Sequence, residues 1–170
     1  KPVAGGVPAS VWGFTDAVAE RLNAVREQTP PGHSGMGTTL SANALSLAAM
    51  RATLEHVMTA EAYAHMESLA ARLTSGLQLV VTTYGMPWHV VRVGARVEFI
   101  CAPGPLRNGT QAEAAHAPAL EQAIHLALLN RGCLIAPFHN MMLVSPATTA
   151  AQVETLVQAF ESVVASLALD

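Results

Sequence analysis

Between Pro31 and Pro87 the chain contains no proline, and residues 41–83, SANALSLAAMRATLEHVMTAEAYAHMESLAARLTSGLQLVVTT, are dominated by strong helix formers. That stretch fixes the middle of the fold as helical. Leu47, Met50, Leu54, Val57 and Met58 recur at helical spacing, and so do Met66, Leu69, Leu73 and Leu77. Thr59, followed by Glu61, reads as an N-cap and divides the stretch into two helices. The sequence YGMP, Tyr84–Pro87, ends the second one.

The flanks differ in kind. Residues 1–14, KPVAGGVPASVWGF, read as loop with an extended piece near Ala9–Phe14. Asp16–Val25 reads as a short helix, and TPPGHSGMGTT, residues 29–39, as a breaker-rich loop. WHVVRVGARVEFICA gives two short strands around Gly94, and APGPLRNGT gives a loop. Pro118–Arg131 reads as a helix with Gly132 at its C′ position. CLIAP and MMLVS are short apolar runs expected to pair. Thr149 with Gln152 forms a capping box that opens a final amphipathic helix through Val153, Leu156, Val157, Phe160, Val163, Val164 and Leu167.

Composition narrows the function classes. Charged residues are 12% of the chain against ~25% for an ordinary soluble domain. Apolar surface is therefore left to be covered by further parts of the same polypeptide, a partner subunit, or both. No apolar run reaches the ~20 residues that span a bilayer. The formal net charge of −3, with no basic stripe, gives no support to nucleic-acid binding. Cys101 and Cys133 lack metal or disulfide spacing, and the histidines form no ligand cluster, so no metal and a reducing cytoplasm are expected. There is no initiator methionine and no signal-like segment, so residue 1 is not expected to be where the gene begins.

Lys1 is the sole lysine; all other cations are arginine. It precedes Pro2, which has no N–H, and the pair Gly5-Gly6, which permits close backbone approach. A solvated surface lysine is one reading. The other is a crowded amine with depressed pKa that attacks a carbonyl. Gly35-Met36-Gly37-Thr38-Thr39, just before a strong helix, has two readings as well: an ordinary glycine loop, or a cup of N–H groups and hydroxyls for a phosphate. The lysine of a nucleotide P-loop is missing from it. A carbonyl-seeking lysine and a phosphate cup together point to pyridoxal 5′-phosphate (PLP).

KPVAGGVP resembles the active-site lysine segment of class III PLP-dependent aminotransferases, and TTLSANALSLAAMRATLE resembles that family's downstream Gly-Thr-Leu-Ser-Gly-Asn-Pro-Leu-Ala motif. The overall likeness is to the glutamate-1-semialdehyde aminomutase-like branch. Within it, PWHVVRVGAR, NRGCLIAPFHNM and SPATT are similar to aminotransferases for aromatic β-amino acids of the β-phenylalanine kind. The resemblance implies an α/β protein of PLP-dependent transferase fold type I. Residues 1–58 would be the end of the large PLP-binding domain with the start of an interdomain helix, and residues 59–170 the C-terminal small α+β domain. It implies that Lys1 holds the cofactor covalently and shuttles a proton. Thr39, or Thr38 if the register shifts, would reach the cofactor phosphate of the neighbouring subunit in a homodimer with shared active sites. In that motif Thr38 and Ala42 replace glycines and Ala44 replaces a proline.

Arg131 has the planar fork for a substrate carboxylate, although a cation in a helix's last turn also complements the dipole. Phe138, His139, Asn140 and Met141 are candidate pocket residues, with packing under a loop as the alternative. Trp12 and Phe14 follow the lysine loop and are either near the site or, as expected, core; Arg92 and Arg96 are expected on solvated strand faces. The function expected is transfer of an amino group from a β-amino acid to a keto acid such as 2-oxoglutarate or pyruvate. The alternatives are an intramolecular aminomutase acting on glutamate semialdehyde, or a non-catalytic oligomerisation or binding domain.

Overall fold

The computed structural model describes residues 2–33, 37, 39–136 and 139–168. The chain divides into two compact units, Lys1–Thr59 and Ala60–Asp170.

The first unit contains a 3-10 turn, Pro2–Ala4, and two helices, α1 (Asp16–Glu27) and α2 (Ala44–His56). Asp16 in the first turn and Arg26 in the last suit the dipole of α1, yet no residue of this helix is buried. The buried residues of this unit are small ones: Ala4, Ser46 and Thr53. Trp12, expected in a core, is 57% exposed and Phe14 45%; the two rings pair with each other at 5.0 Å. Their apolar surface, with that of Leu40, Leu45, Leu47 and Leu54, finds no interior within this unit.

The second unit has its own core. In chain order it runs α3 (Ala60–Thr83), β1 (His89–Val93), β2 (Arg96–Ile100), α4 (Gly109–Ala114), α5 (Pro118–Leu129), β3 (Met141–Leu143) and α6 (Ala150–Leu167). The strands form an antiparallel sheet in the order β1-β2-β3. Gly94, at φ 56°, makes the β1–β2 turn. The register sets Val91 opposite Glu98, and Glu98 opposite Met141. By strand alternation Val97, Phe99 and Met142 share the inner face and Arg96 and Glu98 the outer. The inner face packs with α3 (Leu69, Leu73, Leu77, Val81) and α6 (Val153, Phe160, Val164) into one buried cluster that includes Ile124 and Leu128 of α5. Phe99 and Phe160 meet at 4.8 Å between centroids, with Trp88 6.3 Å from Phe99.

The capping box at Thr149 is present in both directions. Three local expectations change. The run CLIAP is not a strand where it is described: β3 pairs with β2, and Ala136 only donates its N–H to Met141 O at 3.2 Å. The loop after β2 contains α4, started by Asn108, whose side chain accepts from Gln111 N at 2.9 Å. Helix α5 ends at Leu129, two residues early. Cys133 N then bonds back to Leu128 O at 2.9 Å around Gly132, which sits at φ 79°.

Two glycines mark tight packing. His89 Nδ1–H donates to Ala102 O at 2.7 Å, and Gly104 lies against the same ring, where any side chain would overlap it. Gly76 brings α3 against α6: a Cβ there would sit 2.7 Å from Val157 Cγ2. Replacing Gly76 by alanine gains helix propensity but overpacks against a stiff β-branched side chain. The expected result for Gly76→Ala is a loss of about 1–3 kcal/mol in chemical denaturation, largely restored by the double variant Gly76→Ala/Val157→Ala.

Candidate functional site

The site proposed from the sequence falls on the first unit. Lys1 and Thr38 lie outside the described residues; Thr39 is described and exposed, in the turn ahead of α2. What holds their neighbours is explicit. Pro2–Ala4 packs on α2, and Ala4 is 1% exposed. Gly5 N bonds to Pro2 O at 3.0 Å and Val7 N to Ala4 O at 3.1 Å. Gly5 takes φ 60°, and a Cβ on it would meet Thr53 Oγ1 at 3.2 Å. Thr53 is itself held by a bond from Oγ1 to Ala49 O at 2.8 Å.

A second fastening lies at the start of α2. Asn43 caps the helix, its Oδ1 accepting from Ser46 N at 2.9 Å. Its amide donates to Leu40 O and to Ser46 Oγ, each at 3.0 Å. Ser46 Oγ in turn donates to Pro8 O at 2.9 Å, and Ser46 is 6% exposed. The segment after Lys1 and the turn carrying Thr39 are thus tied to one helix end. Sequence reasoning passed over Asn43 and Ser46. Their signal was an Asn followed three residues later by Ser at a helix start.

The departures from the resembled motif now have a geometry. Ala42 has φ 54°, a left-handed conformation that costs an alanine and suits a glycine. Ala44 is the first residue of α2, where proline is favoured because its N–H has no intrahelical partner. The turn at Thr39, the uncapped N–H groups of Ala44 and Leu45 and the positive end of α2 supply donors of the kind a phosphate needs.

On the second unit, Arg131 follows the end of α5. Its Nη1 donates to Ala127 O at 2.9 Å and its Nε to Ser162 Oγ at 3.2 Å, so the guanidinium fastens the helix end to α6. Arg96 pairs with Glu98 at 2.8 Å, and Arg92 donates to Gly94 O at 3.2 Å. Asn140 is buried, Met141 begins β3, and Phe138 lies outside the described residues. Met141 also lines an apolar cavity of about 800 Å³ together with Leu73, Cys133, Ile135 and Leu156. Among the described residues no group of three His, Cys, Asp or Glu is placed to hold a metal ion, and no helix is long and apolar enough to cross a membrane.

Burial, and secondarily the carboxylate of Glu121, pushes the Cys101 thiol up to about 12; burial also raises Cys133. Both are neutral thiols at physiological pH.

No family model matches the chain. Fold and sequence nevertheless converge on one class: the chain has the fold of PLP-dependent aminotransferases of fold type I, and is similar to the C-terminal portion of class III members. A lysine-to-alanine variant of a glutamate-1-semialdehyde-aminomutase from Pseudomonas aeruginosa PAO1, solved in complex with PMP, superposes with TM-score 0.92 and 47% identity over 97% of this chain and 37% of that one. The glutamate-1-semialdehyde 2,1-aminomutase of Thermomicrobium roseum is 31% identical over 137 residues, 81% of this chain and 30% of that protein. A β-phenylalanine aminotransferase from Variovorax paradoxus shares the fold, with TM-score 0.72 at 24% identity over 87% of this chain and 34% of that one. The chain thus spans well under half the length of each.

Two outcomes are expected. Ala42→Gly relieves the left-handed alanine, partly offset by the greater freedom of glycine in the unfolded chain. The net gain is about 0.5–1 kcal/mol, seen as slower amide hydrogen exchange at Ser46 and Leu47. For Cys101 the folded pKa lies above the unfolded one. Its contribution to stability is therefore complete below the unfolded thiol pKa of about 9 and is lost as pH rises towards about 12. The urea midpoint should fall across that window, and fall less in Cys101→Ala.

Proposed function

We propose that the full-length protein is a PLP-dependent transaminase that moves an amino group from a β-amino acid, aromatic and β-phenylalanine-like, to a keto acid such as 2-oxoglutarate or pyruvate. The observation that carries the amino-transfer chemistry is the 47% identity to the PMP-bound aminomutase along nearly the whole chain. The docking of the segment after Lys1 onto the helix that follows Thr39 supports it. When bound, PLP supplies an aldehyde that condenses with amines and a ring that draws electrons from the substrate carbon.

The residues divide the labour as follows. Lys1 would hold the cofactor through its amine and, as a free amine, would serve to move the proton at the substrate carbon. Thr39, with Thr38 beside it and the first N–H groups of α2, would hold its phosphate, in the shared site of a homodimer. The exposed apolar surface around Trp12 and Leu40 and the low charge content fit burial against a partner subunit. Arg131 retains its Nη2 donors for a substrate carboxylate while Nε and Nη1 secure the backbone. The protein would act in the cytoplasm.

A second reading is an intramolecular aminomutase acting on glutamate semialdehyde, favoured by the names of the relatives at 31% and 47% identity. The motifs PWHVVRVGAR and NRGCLIAPFHNM favour the first. In the full-length protein loaded with PLP, borohydride reduction should fix the cofactor to the peptide containing Lys1, and Lys1→Ala should abolish both the adduct and turnover, by at least ~10²-fold. An unmodified Lys1 would overturn the chemistry. Turnover of β-phenylalanine with 2-oxoglutarate or pyruvate supports the first reading; isomerisation of glutamate semialdehyde without a keto acid replaces it with the second.

A further inference from the structure

We infer that Ser46 is a positioning residue for cofactor attachment: its hydroxyl fixes the direction of the segment that follows Lys1, and so places the amine for the PLP aldehyde. The inference rests on the transaminase reading, which assigns the amine to Lys1 and the phosphate to the turn at Thr39.

Two contacts hold that segment on α2. At one, Ala4 is buried, and Gly5 comes so close that a Cβ on it would meet Thr53 Oγ1 at 3.2 Å. At the other, Ser46 Oγ donates to Pro8 O at 2.9 Å. Ser46 and Thr53, at i and i+7, share one face of α2 about two turns apart, roughly 10 Å along its axis. The segment therefore runs along that face, held at both ends. The two holds differ in kind. A buried methyl excludes water but has no preferred direction, whereas a hydrogen bond is directional. Between them the turn bonds Gly5 N to Pro2 O and Val7 N to Ala4 O make residues 2–7 one stiff piece. A restraint at Pro8 is thus transmitted to the end beside Lys1, and without it the piece can roll on its small apolar contact.

The phosphate side does not depend on this hydroxyl. Asn43 Oδ1 accepts from the backbone N–H of Ser46, and the Asn43 amide donates to Leu40 O. Neither bond involves Ser46 Oγ, so a variant lacking it keeps the cap of α2 and the turn ahead of it. Ser46 also stands where the resembled motif ends in alanine, two positions after Ala44 stands in place of its proline. Ala44 lacks the fixed φ of a proline, and the Ser46 hydroxyl supplies a restraint at the same helix end.

The test compares two ligands on the full-length protein stripped of cofactor: PLP, and pyridoxamine 5′-phosphate (PMP), which carries an amine in place of the aldehyde and cannot condense with Lys1. Equilibrium dialysis gives the affinity for each. Ser46→Ala should weaken PLP about fivefold, the worth of one ordinary hydrogen bond, and PMP less than twofold. Equal weakening of both ligands assigns Ser46 to fold stability alone and overturns the inference, as does unchanged PLP affinity. Should Ser46→Ala fail to fold, Ser46→Cys, of like size with a weak donor, carries the same comparison. Borohydride reduction of the unsubstituted protein separates the two levels. If Lys1 is labelled while PLP and PMP weaken equally, the transaminase reading stands and only this inference fails; an unlabelled Lys1 removes both.

Discussion

One buried hydroxyl ties the first unit together. Ser46 Oγ donates to Pro8 O and accepts from the Asn43 amide, while Asn43 caps α2. The segment that follows the lone lysine and the turn that carries Thr39 are far apart in sequence, and this network fastens both to one helix end. Its weight comes from burial. Ser46 is buried while Asn43 and Pro8 stay exposed, so loss of a partner costs most at the Ser46 hydroxyl. The small residues around it, Ala4 and Gly5, are what allow the backbone to approach Thr53 closely.

The two units solve the problem of burial differently. The second closes a core of aromatic and branched side chains between α3, α6 and one face of the sheet. Among its described residues the first buries only small ones, Ala4, Ser46 and Thr53, and leaves Trp12, Leu40 and Leu45 exposed. The low charge content read from the sequence has its counterpart in exposed apolar side chains on both units: Trp12, Leu40 and Leu45 on the first, and Leu79, Val93, Leu134 and Leu143 on the second.

Much of the fold was legible because local signals and packing agree. The capping box at Thr149, the turn at Gly94 and the helical run after Asn43 each specify geometry within a few residues. What was illegible depends on distant partners. CLIAP has strand-like composition, but β2 gives its free edge to Met141–Leu143. Helix α4 has six residues and opens on a glycine, so neither length nor propensity announces it. Trp12 looked like core because aromatic residues usually are, whereas its surroundings within this unit supply no interior. In the candidate site, Lys1 and Thr39 are put forward by chemistry and resemblance. Asn43 and Ser46 were not legible, because their tie to Pro8 is one that sequence proximity cannot reveal. Likewise the conformational cost at Ala42 becomes visible only once φ is known.

The lack of a sizeable interior among the first unit's described residues separates the two units in how they can become ordered. A body with a closed core can mature by itself, while one whose described buried residues are only Ala4, Ser46 and Thr53 gains little from burial alone and depends on polar ties such as that of Ser46 to Pro8.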